Sequence, residues 1–348
     1  MDDSKSLSEI EKLKSALQSA DLPANLHDKA AEQIERIILA LKYGGNMSQL
    51  DITAKYIDWI TNIPWNKKTD DLLDITKAKE ILEKNHFGLT HIKERILEYL
   101  SVLIIQKHTK KTDIFLSSSL FFVGLAGTGK TTIAKSVAET LGRKFVRIPF
   151  GGLSSALDLR GQSKTTAEAE PGMIIKAIRR AGVSNPVILL DELDRVTPEA
   201  RAAIMGVLIE LLDPQQNSNF TDYFIDYPID LSRVLFIATA NNTNNISTAV
   251  MDRLEVIQMP AYTDQEKIVI AQKYVLPRLL QETGLDGENL VIEDSVWAKI
   301  TRPMGFDAGI RSLERTVESI VRKVSLKIVS GEGQRFIIND SNVKDYIG

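Results

Sequence analysis

Cysteine is absent from the 348 residues. That gap excludes disulfides, cysteine-bearing zinc sites, iron–sulfur ligation and a cysteine nucleophile. Histidine is scarce, and the four present, His27, His86, His91 and His108, show no HExxH or HxxxH spacing, so each is expected at the surface or at a helix cap and no histidine metal site is expected. No run approaches the ~18 apolar residues of a membrane span. The start, MDDSKSLSEI, is polar and acidic where a secretory signal is basic and then apolar. A cytoplasmic chain with no membrane contact is the expectation. An excess of one charge sign is also lacking: 43 Lys and Arg against 46 Asp and Glu leave −3, with no block of like charge and no alternation of aromatic and basic residues, so nucleic acid is not an expected partner.

What remains is the composition of a folded chain. Hydrophobic residues make up 43% and charged residues 26%, which sets aside collagen-like, coiled-coil-only and disordered readings. At about 150 residues per domain, the length predicts two domains or one with an appendage. The first hundred residues carry helical periodicity. Between Leu26 and Tyr43, Ala30, Ile34, Ile37, Ile38 and Leu41 recur at steps of three and four, with Glu32, Glu35 and Arg36 on the other side. A second helix is expected to start at Ser48, with Asp51 in a capping-box position, and to carry Ile52, Tyr56, Trp59 and Ile60 before Pro64. Helices are also expected over 76–84 and 90–107, joined by a hinge at His86-Phe87-Gly88-Leu89.

From Leu120 short apolar runs alternate with helical stretches, the pattern of a parallel sheet with crossover helices. The expected strands are Leu120–Val123, Phe145–Ile148, Val187–Leu190, Val234–Ala238 and Leu254–Met259. After Pro260, Thr263 and Glu266 form a second capping box, and Ile310, Leu313, Val317, Ile320, Val321 and Val324 make a helical stripe. Phe336–Ile338 is one more short apolar piece. The expected organisation is a helical neck and linker over 1–110, an α/β nucleotide-binding domain over 111–260 and a small helical domain over 261–348.

The strongest local signal is Gly124-Leu125-Ala126-Gly127-Thr128-Gly129-Lys130-Thr131, a GxxxxGK[ST] loop between an expected strand and a helix that takes up Thr132. Glycines let such a backbone curl so that its N–H groups face an anion, and the helix N-terminus adds the positive end of its dipole. Lys130 would reach the β- and γ-phosphates, and the Thr131 hydroxyl would hold Mg²⁺. About sixty residues on, Val187-Ile-Leu-Leu190 ends in Asp191 and Glu192. An Asp at that strand tip can bind the metal through its water shell, and a Glu beside it can polarise an attacking water. The pair points to hydrolysis of ATP with Mg²⁺ rather than nucleotide storage. Asn241, in FIATAN, offers an amide to orient the same water. Arg253, in MDRLEV, and Arg311, in GIRSLER, offer the planar, permanently charged fork that suits a transferring phosphate.

The segments GRKFVRI, RGQSKT, PGMIIKAIRRAG, NPVILLDELDRV, LLDPQQNSNFTDYF, LSRVLFIATAN, MDRLEVI, YTDQEK and GIRSLER resemble, in order, the AAA+ ATPase module of Lon proteases. The likeness extends upstream through Tyr56-Ile-Asp-Trp59, Ile63-Pro-Trp65, His86-Phe-Gly-Leu89 and 93–100, and covers the chain from about residue 25. The resemblance implies a P-loop AAA+ fold, α/β with a five-stranded parallel sheet flanked by helices, an N-terminal helical neck and a C-terminal helical lid. It further implies Walker A at 124–131, Walker B at Asp191 and Glu192, sensor one at Asn241, an arginine finger for the neighbouring subunit at Arg253 and sensor two at Arg311. A homo-oligomeric, hexameric ring with ATP at each interface follows from it, as do protein substrates and a role in protein quality control.

Two departures qualify the likeness. The family's protease and substrate-recruiting domains have no counterpart in these 348 residues, so the expectation is a motor without its own peptidase. It would act alone, with a separate peptidase, as a regulatory subunit of a full-length Lon-type protease, or as the excised ATPase part of one. Clamp-loader and helicase roles share the ATPase signature. The second departure is the pore loop, where an aromatic–aliphatic pair is replaced by Thr166-Ala167, followed by Glu168 and Glu170. Small polar residues bury little area, so the grip on an apolar side chain should be weak and the channel acidic. Phe220 and Tyr223 remain available to contact a substrate.

Overall fold

The computed structural model describes residues 2–43, 48–110, 118–166, 168–301 and 309–347. Three helices, Asp2–Ser19, Ala24–Lys42 and Ser48–Asn62, pack on one another at the start of the chain. The expected stripe supplies their core, because Ala30, Ile34 and Ile37 meet Ile10, Leu17, Leu50, Ile57 and Ile60 with almost no exposed surface. Leu41 and the side chain of Ser48 lie outside the described side chains, and Ile52 is exposed rather than packed. Helices Ile75–Asn85 and Thr90–Lys110 follow, the first capped by Asp74, whose carboxylate accepts the N–H groups of Thr76 and Lys77. Among the described residues, no helix is long and apolar enough to cross a membrane.

The strands in chain order are β1 (Ser119–Val123), β2 (Phe145–Pro149), β3 (Val187–Asp191), β4 (Phe220–Asp222), β5 (Tyr227–Ile229), β6 (Leu235–Ala240), β7 (Leu254–Gln258), β8 (Leu290–Ile292) and β9 (Phe336–Ile338). Five of them make one parallel sheet in the order β2-β3-β6-β1-β7. All five were readable because a parallel strand covered on both faces is a nearly continuous apolar run. Their side chains alternate between two cores, as a two-residue period requires. Phe121, Ile188, Leu190 and Phe236 face the core shared with the neck, whereas Leu120, Phe122, Leu189 and Ile237 face the linker helices and the lid.

Sequence and structure differ at short elements. Strand β6 runs two residues past the expected end at Ala238, which brings Asn241 to the strand tip. The antiparallel pair β4–β5 was unforeseen, and β8 pairs in parallel with β9, so the lid is not purely helical. Three-residue strands carry too few side chains to show a period. The lid helix opens with the expected capping box: Thr263 accepts the N–H of Glu266, whose carboxylate accepts the N–H of Thr263. The long helix Arg311–Val329 buries Leu313, Val317, Ile320, Val321 and Val324 as its stripe predicts.

Replacing Thr263 by Ala removes the reciprocal cap and should lower stability by ~1 kcal/mol. A urea midpoint that does not move would show that the lid helix is held by packing alone.

Candidate functional site

Strand β1 leads straight into the glycine-rich loop at the C-terminal edge of the sheet. The loop stays in register with the ladder, since Gly124 N–H donates to the Ala240 carbonyl at 3.2 Å. Gly127 and Gly129 take φ of +82° and +91°, conformations open to glycine at no steric cost. Within the loop, Thr128 Oγ1 donates to the Leu125 carbonyl, and Thr132 Oγ1 donates to that of Gly129. Leu125 is exposed on the outer side and Thr131 is half-buried. Lys130 opens the helix Lys130–Thr140 and is buried; its Nζ donates to the carbonyls of Gly124 (2.5 Å) and Leu125 (2.9 Å) and to Asn241 Oδ1 (3.1 Å). Burial holds its pKa below the ordinary lysine value, opposed by Asp194, reinforced by Arg311, and opposed again by Asp191 and Glu192.

Asp191 ends β3, and both its carboxylate oxygens are engaged. Oδ1 accepts the Thr239 hydroxyl, and Oδ2 accepts Arg147 Nε at 2.5 Å. The same Thr239 oxygen accepts the Glu192 N–H at 3.0 Å, so one hydroxyl on β6 holds the carboxylate of Asp191, the last residue of β3, and the backbone of Glu192 just after it. Glu192 sits at φ +60°, ψ +52°, a left-handed conformation that a non-glycine residue keeps only where its surroundings impose it. Asn241 is positioned in the same way from the side: its N–H donates to Asp194 Oδ1 at 3.1 Å, while Asn242 Nδ2 donates to Oδ2. Thr239, Asp194 and Arg147 carried no sequence signal beyond their neighbours, because their partners lie more than forty residues away.

The lid closes directly on the loop. Ile310 N–H donates to the Gly127 carbonyl at 3.1 Å, and a Cβ on Gly309 would fall 2.4 Å from the Ala126 carbonyl oxygen. Arg311 follows, with its Cγ 3.3 Å from where a Cβ on Gly127 would stand. Tyr262 adds a hydrogen bond from its hydroxyl to the Thr128 carbonyl. Lys130, Asp191, Glu192, Asn241 and Arg311 are thus gathered at one end of the sheet.

Arg253 is not with them. It precedes β7, and its carbonyl accepts the N–H of Ser119, the first residue of β1. The length of β1, five residues at ~3.3 Å each or roughly 16 Å, therefore separates it from the loop. Its guanidinium bonds Asp213 at 3.0 Å and the Ala249 carbonyl at 2.8 Å, while its Nε is buried without a partner.

Beside the loop lies a cavity of about 440 Å³ between the helix Lys130–Thr140, the linker and the lid, with His86, Phe87, Tyr262, Tyr274, Val275 and Ile310 in its walls. His86 caps the helix Ile75–Asn85 as expected, but it is buried rather than at the surface. Its Nε2 is 2.9 Å from Ser136 Oγ, which also accepts from Asn85 Nδ2. Substrate-contact expectations change as well. Phe220 is fully buried, whereas Tyr223 is 46% exposed and lies under the Arg160 guanidinium. Glu170 is tied to Lys176 and Lys55, and Thr166 is exposed; Ala167 lies outside the described residues.

A sequence model described as ATPase family associated with various cellular activities (AAA) matches residues 120–261, and one described as Lon protease AAA+ ATPase lid domain matches 281–336. The chain thus carries an AAA ATPase domain followed by a Lon-type lid. It is 42% identical to a Lon protease of Lawsonia intracellularis over 98% of its own length and 40% of the relative's. The identity is 38% with Lon protease 2 of Thermus thermophilus, over 98% of the chain and 43% of the relative. With a Lon protease of Geobacter metallireducens it is 39%, over 98% and 40%. The chain spans about two fifths of the length of the curated relatives it matches.

Burial, with a further push from Lys93, drives the His86 imidazole down to about 4 from an ordinary 6.5. The neutral ring favours the fold above pH 6.5; below that the unfolded chain binds the proton first, and stability is lost until pH passes about 4. Relative to His86→Gln, the wild type should lose up to ~3 kcal/mol over that window in denaturant titrations at stepped pH. Parallel curves for the two proteins would show that His86 is not buried neutral.

Proposed function

We propose that the module hydrolyses ATP with Mg²⁺ at sites shared between adjacent subunits of a ring, and uses the cycle to remodel or unfold proteins. One observation carries the shared site: Arg253 stands at the opposite end of the sheet from Lys130, while every other candidate group converges there.

The residues present fit the nucleotide and the metal. The loop from Gly124 to Thr132 offers N–H groups, two left-handed glycines and a buried lysine to a polyphosphate, and the aromatic-walled cavity beside it suits a purine. Among the described residues no cluster of three His, Asp or Glu side chains could hold a metal unaided. Thr131 and Asp191 would therefore share Mg²⁺ with phosphate oxygens and water, as this hard, strongly hydrated ion prefers. When bound, Mg²⁺ supplies charge neutralisation at the β- and γ-phosphate oxygens.

Lys130 exchanges its contacts with the Gly124 and Leu125 carbonyls for phosphate oxygens. Glu192 takes a proton from the attacking water, held in place by Thr239 through its own backbone N–H. Asn241, fixed by Asp194, orients that water. Arg311 acts from the lid of the same subunit, and Arg253 from the neighbour, where leaving Asp213 frees its fork to bond two oxygens of the transferring group. A hexamer is the expected assembly, in the cytoplasm and in protein quality control.

A second reading is favoured by the span of the match, since the relatives are Lon proteases and the chain aligns with two fifths of them. In it the module drives, or regulates, an ATP-dependent Lon-type peptidase, in the same polypeptide or a partner.

Arg253→Ala should reduce steady-state hydrolysis at least ~100-fold, as severely as Glu192→Gln, while both variants still bind a fluorescent ATP analogue. Full activity of Arg253→Ala, or of the protein diluted to monomers, would overturn the shared site.

A further inference from the structure

The Asp191 side chain is only 5% exposed, yet the role given to it above requires a carboxylate oxygen that can reach the water shell of Mg²⁺. Its two side-chain partners close it off from the strands on either side of β3: Thr239 on β6 takes Oδ1, and Arg147 on β2 takes Oδ2. All three residues lie on the sheet face that carries Leu189 and Ile237, toward the linker helices and the lid. Pro149, directly opposite Asp191 in the ladder, has no polar side chain to offer. The long side chain of Arg147 therefore reaches across from two residues back along β2.

The two partners differ in their freedom to leave. Thr239 is fully buried on a strand paired on both sides, and its hydroxyl also holds the Glu192 N–H, so moving it would break two bonds at once. Arg147 stands on the edge strand of the sheet with its side chain half-exposed, and among the described residues its guanidinium bonds nothing but Asp191. It can turn to water without stranding any other group. Arg195 also approaches an acid of this site, Glu192, at 3.4 Å, but that pair is three residues apart and its arginine is exposed. A pair of that kind contributes little and holds nothing in place.

We propose that Arg147 is a displaceable counter-ion of Asp191: it gives up Oδ2 to the water shell of Mg²⁺ and turns to solvent at the edge of the sheet. Two cations at one enclosed carboxylate oxygen repel each other where water screens weakly, so the guanidinium and the hydrated metal compete for it. Thr239 keeps its bond to Oδ1 throughout and preserves the orientation of the acid while Arg147 leaves. Arg147 thus sets the Mg²⁺ requirement of the site, lowering metal affinity by the free energy of the pair that must be broken. The exchange rests on the Mg²⁺ role proposed for Asp191, and the test separates the two.

The test, on the full chain, reads how far Mg²⁺ tightens nucleotide binding. The quantity is the ratio of the dissociation constants of a fluorescent, non-hydrolysable ATP analogue in EDTA and in saturating Mg²⁺. Arg147→Met should raise this ratio about tenfold, the worth of one hydrogen bond to a charged group, whereas damage to a purely structural contact would lower it. Arg147→Lys keeps a cation beside Asp191, so its ratio should rise less, and it supplies the reading if the methionine variant does not fold. In an Asp191→Asn background the ratio should be low, and Arg147→Met should no longer change it. A ratio that stays the same or falls on replacing Arg147 overturns the exchange, as does an equal rise in the Asp191→Asn background. If Asp191→Asn by itself leaves the wild-type ratio intact, the Mg²⁺ role of Asp191 is what fails, and the exchange falls with it.

Discussion

A parallel strand has two ends, and a side chain at one cannot serve chemistry at the other. Strand β1 is only five residues long, yet that suffices to keep Arg253 apart from the glycine-rich loop. At its C-terminal end the chain turns into the glycine-rich loop, and at its N-terminal end Ser119 bonds the carbonyl of Arg253. No rotamer of arginine spans the sheet. If Arg253 takes part in the reaction, it does so on another molecule, and a requirement for assembly would then follow from the strand register.

The crowded end of the sheet is organised by groups that do not themselves react. The Thr239 hydroxyl sits between β3 and β6, donating to the Asp191 carboxylate and accepting from the Glu192 backbone, so a neighbouring strand anchors both residues. Asp194 does the same for Asn241. From above, Ile310 binds the Gly127 carbonyl and Tyr262 binds that of Thr128, so a tilt of the lid moves the loop itself. Contacts this close leave no slack: a Cβ on Gly309 already overlaps the Ala126 carbonyl oxygen.

The five sheet strands were legible because each is an apolar run covered on both faces, and the loop was legible because its glycine and lysine pattern is written in consecutive residues. Asn241, Arg253 and Arg311 gained meaning only from their order after the loop. What escaped the sequence depends on partners far along the chain. Thr239 looks like any strand threonine, and His86 like any helix cap, until the fold buries it against Ser136 of the helix Lys130–Thr140. Phe220 and Tyr223 were equivalent as letters, but the β4–β5 hairpin turns one into the core and the other out.

The central claim is that each site draws on two subunits, and mixing defective subunits tests it most directly. Lys130→Ala lacks the loop cation, and Arg253→Ala lacks the distant guanidinium; each alone should be inactive. Co-assembled, they place the intact loop of an Arg253→Ala subunit beside the intact Arg253 of a Lys130→Ala subunit. The account predicts that ATP hydrolysis reappears in the mixture and is greatest near equal proportions. A mixture no more active than the two variants measured apart would contradict it.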